Sequence, residues 1–193
     1  MLSPRSTASP IAFTALSALF SAGCSSSVGV SDAGAASVYV PEPSDFCGYT
    51  SWTSYDEPDA GGDGIFAPST TTDGGFIHVA GGRIEYLNHT PPHGSTQFPV
   101  GTIIVKVIPA QDQIFAMAKV GGGYNPNGPG GVALNWQWFE LLPGACPDGW
   151  IWDGYEPPAN QAYGGMPQAC NLCHSGFPEN DYVASPKILL KDY

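Results

Sequence analysis

Positive charge is scarce in this chain. Six Lys and Arg stand against 17 Asp and Glu over 193 residues, a formal net charge of −11. A surface that grips nucleic acid or anionic lipid must neutralise phosphates, so neither is an expected partner. Long apolar runs are missing too. Ile11 to Phe20 is the most apolar stretch near the N-terminus, and it is too short to span a bilayer. Methionine is rare, with three in all and none after Met166. Only four histidines occur. A helix-rich composition is also lacking, because Gly 25 and Pro 19 punctuate the chain throughout. That excess argues against a helical bundle and for short strands joined by turns.

What is present at the N-terminus reads as an export signal. Arg5 is the lone positive charge ahead of the apolar run, and the small residues Ser21, Ala22 and Gly23 precede Cys24. Small residues before a cysteine resemble a bacterial lipoprotein signal, with 1–23 removed and Cys24 lipidated. Ser21 stands where a leucine is usual, and ordinary signal cleavage nearby is the alternative. Either route takes the protein out of the cytoplasm, to the periplasm or to an outer-membrane lipid anchor. Residues 24–37 are Gly, Ala and Ser with little else, a flexible tether. Residues 38–193 form one domain of ordinary size.

Two cysteines three apart with a histidine after the second, Cys170-Asn171-Leu172-Cys173-His174, form the attachment signature of a c-type haem. Each thiol adds across one porphyrin vinyl group, so the cysteines must lie about one helical turn apart. The adjacent histidine then supplies the proximal iron ligand. A thioredoxin-like redox pair would need a βαβ context, which is absent. Half of a zinc site would need a second Cys/His cluster, and none exists. Cys47 and Cys146 remain, in an oxidising compartment. A disulfide between them is the economical assignment, with two free thiols as the alternative.

The middle of the chain carries strand signals. Phe76 to Val79 is followed by Gly81-Gly82, which suits a hairpin turn. Arg83 to Asn88 alternates, Gly101 to Ile108 is the strongest β-branched run, and Ile114 to Val120 and Val132 to Leu142 follow. The segment from Asp45 to Tyr55 reads as an aromatic helix or turn, Asp56 to Gly64 as a solvated acidic loop rather than a calcium loop, and Gly144 to Gln168 as irregular. The expected fold is mainly β (α+β), a small antiparallel sheet of about five strands with short helices and one haem held near the C-terminus.

The order of Arg83-Ile84-Glu85-Tyr86-Leu87-Asn88, Phe98 to Lys106, Phe115 to Lys119, Trp136 to Glu140 and a C-terminal Cys-x-x-Cys-His resembles the cytochrome P-460 family, including the β-rich cytochromes c-prime-beta. The resemblance implies a mainly β fold around one haem c with an open distal position. Its implied activity is redox chemistry on hydroxylamine, nitric oxide or a related small ligand. Non-enzymatic gas binding or electron transfer is the alternative. Family enzymes cross-link a lysine to the porphyrin; Lys106 is the first candidate and Lys119 the second. Trp136, Trp138 and Glu140 share one strand face, which makes Glu140 the candidate proton acceptor. Its alternative is a residue marking the strand's exit into solvent. His78, His89, His93, Met117 and Met166 are the sixth-ligand candidates. A basic redox partner suits the negative charge, and the oligomeric state is open, a dimer included.

Overall fold

The computed structural model describes residues 38–58, 82–126, 128, 134–144, 146, 149–161, 164 and 169–193. Cys24, His78, Met166, the strand expected at Phe76 to Val79 and Gly81 of its turn lie outside the described residues.

Six strands form one antiparallel sheet in chain order: β1 (Thr53–Glu57), β2 (Arg83–Leu87), β3 (Ile103–Ile108), β4 (Gln113–Lys119), β5 (Trp136–Leu141) and β6 (Trp150–Gly154). The expected strands β2 to β5 are present, trimmed at their ends by turn residues. Two strands were not expected. β1 lies where an aromatic turn and an acidic loop were read, and β6 lies in the stretch read as irregular. Both are outer strands, where among the described residues one edge meets no partner strand and the local pattern is weakest. Ahead of β1, 3₁₀ turns at Pro43–Phe46 and Tyr49–Ser51 bury Phe46 and Tyr49. Val38 bridges Gly121. Gly122 (φ +62) could not be otherwise, because a Cβ there would lie 2.7 Å from Val38 Cγ2.

Directly opposed residues in an antiparallel ladder share a face. One face carries Phe46, Ile103, Val105, Ala118, Phe139 and Leu141 in an aliphatic and aromatic core, with Phe46 and Phe139 rings 5.1 Å apart. Cys47 and Cys146 form a disulfide beside it. The other face is covered by the C-terminal quarter of the chain: Val183, Ile188 and Leu190 pack with Leu87, Ile104, Met117, Trp136 and Trp138. Within that quarter the only α-helix among the described residues is α1 (Ala169–His174). No helix among the described residues is long and apolar enough to cross a membrane.

Candidate functional site

The covered face is not uniformly apolar. One cross-strand row runs Tyr55, Glu85, Lys106, Phe115, Glu140, Trp152 through all six strands. The neighbouring row runs Leu87, Ile104, Met117, Trp138. Over these rows lies a cleft with about 840 Å³ of empty space, part of it open to solvent. Its floor is Ile104, Lys106, Phe115, Met117, Trp138 and Trp152; one wall is Ala169, Cys170, Cys173 and His174 of α1. Arg83, Glu85, Val183, Ala184 and Ser185 close the other side.

The helix α1 is six residues long and spans the whole Cys-x-x-Cys-His motif, so the two thiols and the imidazole enter the cleft together. Cys170 and Cys173 are free thiols. Burial pushes Cys170 up to about 12, against the pull of Lys106, and it raises Cys173 as well. His174 lies 2.7 Å from the Tyr182 carbonyl through Nδ1, which makes Nδ1 the protonated nitrogen and leaves Nε2 with its lone pair. Burial lowers His174 to about 4, so the ring is neutral at pH 7. The Trp138 ring lies 4.5 Å from the His174 ring.

The charged candidates separate. Lys106 lines the cleft, half-buried, with Nζ 5.6 Å from the Phe115 ring centre. Burial lowers it to about 8, Arg83 adds to that, and Glu85 opposes it. Lys119, the second lysine candidate, is bound elsewhere: its Nζ donates to Asp181 Oδ1 at 2.6 Å, both residues being buried. Glu140 does share a face with Trp136 and Trp138. It is buried rather than at an exit into solvent, and its Oε2 accepts the Trp152 indole N–H at 2.7 Å. Trp152 lines the cleft in front of it.

Glu85 is a carboxylate that the sequence did not single out, and it lines the cleft directly. It belongs to a buried cluster: Arg83 Nη2 lies 2.5 Å from Glu57 Oε2, Arg83 Nε 3.1 Å from Glu85 Oε1, and Ser185 donates to Glu85 Oε2. Only the strand alternation of Arg83, Glu85 and Leu87 hinted at it, by putting these charges on the face of a core leucine. His89 and His93 are exposed loop residues outside the cleft lining; His89 Nε2 sits 3.3 Å from Thr102 Oγ1. Met117 lines the cleft while packed in the core. Among the described residues no three His, Cys, Asp or Glu side chains gather as a metal-holding group.

No protein-family model, no curated protein and no solved structure matches the chain.

Proposed function

We propose that the chain is an exported c-type haem protein whose haem occupies this cleft. The observation that carries the reading is the convergence of Cys170, Cys173 and His174 on one cleft with a largely aromatic and aliphatic lining. Its fit rests on the donors themselves. Both thiols are unpaired, and the imidazole is neutral with Nδ1 engaged, the state an axial ligand requires. Cys170 and Cys173 would hold the porphyrin and His174 would ligate its iron, and the haem would supply redox chemistry there.

Among the described residues His174 is the only histidine in the lining, which supports an open distal side and a small ligand over a bis-histidine electron carrier. The cleft residues suit redox chemistry on a small nitrogenous molecule such as hydroxylamine or nitric oxide, as the resemblance to cytochrome P-460 implies. The aromatic floor of Phe115, Trp138 and Trp152 limits water and ligand size. Carboxylates there accept protons: Glu85 from the lining and Glu140 from behind the Trp152 indole. Lys106 lines the cleft while Lys119 is ion-paired with Asp181, which supports Lys106 over Lys119 as the cross-linking lysine.

The test is the intact mass and the ferric and ferrous spectra of the exported protein. A mass raised by one haem and a high-spin ferrous spectrum are expected. A ferrous Soret band shifted far to the red, lost in Lys106→Met, identifies the cross-link. A polypeptide mass without haem ends the proposal, and a methionine–iron charge-transfer band in the ferric spectrum would replace the open site with an electron carrier ligated by Met117.

A further inference from the structure

Asp181 and Tyr182 stand consecutively in the left-handed region, with φ of 51° and 67°. Asp tolerates that conformation moderately well; a bulky residue such as Tyr does so rarely. Strain of this kind persists only where the surroundings over-determine it. Here they do. Asp181 Oδ1 accepts from Lys119 Nζ at 2.6 Å, and Oδ2 accepts the Phe98 N–H at 2.8 Å. Its carbonyl accepts the Trp136 indole N–H at 2.8 Å, while Tyr182 N–H donates to the Phe177 carbonyl at 2.8 Å. Lys119 Nζ also lies 5.1 Å from the Trp136 ring centre. Burial pushes Lys119 down and Asp181 up, and the bond between them opposes both shifts.

A buried ion pair of this kind is a poor source of stability, since desolvation offsets most of its attraction. Its consequence in this fold is directional. The strained pair of residues turns the Tyr182 carbonyl onto His174, 2.7 Å from Nδ1. We infer that Lys119 and Asp181 are positioning residues for His174, fixing through the Tyr182 carbonyl both the orientation of the imidazole and its strength as an axial donor. This rests on the reading of His174 as the haem ligand. A short Nδ1–H···O bond makes the imidazole a stronger donor, which favours oxidised iron. Loosening the carbonyl weakens the donor.

The double variant Lys119→Met/Asp181→Asn tests it. It removes both charges and leaves no buried ion alone, and Asn keeps an acceptor for the Phe98 N–H and tolerates positive φ. On the haem-loaded protein, the iron–histidine stretching band of the ferrous form moves to lower frequency and the reduction potential rises. Phe46→Leu, on the opposite face of the sheet, lowers the melting temperature and moves neither readout. An iron–histidine band in the double variant equal to wild type overturns the inference, as does an equal displacement by Phe46→Leu. Wild-type protein without covalent haem overturns the haem reading itself and this inference with it.

Discussion

Asn171, between the two cysteines of the motif, is fully buried. Its Oδ1 accepts from Asn125 Nδ2 and from Trp138 Nε1, both at 2.8 Å, and its Nδ2 donates to Asn125 Oδ1 at 2.9 Å. Asn125, equally buried, donates also to the Trp136 carbonyl at 3.0 Å. Asn171→Ala therefore strands the Trp138 N–H, the Asn125 carbonyl oxygen and one Asn125 N–H. Each buried orphan costs about 1–3 kcal/mol, and partial relaxation brings the expected loss to about 3–5 kcal/mol. The companion Asn125→Ala should cost as much, because it also breaks the bond to Trp136 and places Ala at φ 58°. The two side chains share partners, so the double variant should be less destabilised than the sum by about 1–2 kcal/mol. Urea unfolding of the four proteins at fixed pH measures this cycle. A loss below about 1 kcal/mol for Asn171→Ala, or a coupling below about 0.5 kcal/mol, would refute the claim that this amide pair docks α1 on the sheet.

Three further outcomes follow from particular contacts. Burial, and then the neighbouring Glu85, raise Glu57 from 4.5 to about 7, with Arg83 opposing. A carboxyl raised on folding stabilises below its unfolded pKa, and that contribution disappears as pH rises through 7. Glu57→Gln should thus gain on wild type between pH 5 and pH 8 by on the order of 3 kcal/mol in unfolding free energy; equal changes in both proteins would reject the shift. Cys47→Ser/Cys146→Ser opens a disulfide spanning 99 residues, and loop-closure entropy sets the loss at about 4–5 kcal/mol, checked by denaturation and by non-reducing peptide mapping. Phe46→Ala empties a site with no solvent exposure against Phe139 and Trp150 and should cost about 3–5 kcal/mol; a melting temperature close to wild type would mean that this face is not the core.

Strands β2 to β5 were legible because each alternates or carries β-branched residues that pack on both faces. β1 was not, since Thr53-Ser54-Tyr55-Asp56-Glu57 is polar and lies mostly exposed on the sheet's outer edge. β6 was hidden by flanking Gly and Pro and by a register shift opposite Glu140 and Leu141, which packs Trp150 against one core and Trp152 in the other. The site divides in the same way. The motif is local, so its spacing alone placed both thiols and the imidazole on one side of the cleft. Which lysine enters the cleft is not local. Lys106 and Lys119 lie on the same sheet face, and the difference between them is Asp181, which is 62 residues from Lys119. Ser185 reaches Glu85 across 100 residues. No window of sequence contains either pair.

The sheet's two faces differ in what they were built to tolerate. One buries aliphatic and aromatic side chains; the other sets Glu57, Arg83, Glu85, Lys106 and Glu140 among its apolar residues. Ions taken out of water are expensive, and well-packed apolar replacements often match or exceed them in stability. That face was therefore not selected for stability alone, and Lys106 gives the sharpest test. Its ammonium is held down to about 8 by burial, so at pH 7 the folded chain keeps a cation that its surroundings disfavour. Lys106→Met retains the stem that packs by Phe115 and removes that cost. Measured on the haem-free chain, where the Lys106 amine is not bonded to a porphyrin, unfolding free energy should stay level or rise by up to about 2 kcal/mol. A loss of more than about 1 kcal/mol would make Lys106 a structural counter-ion to Glu85, and the case for a functional charge on the cleft floor would fall.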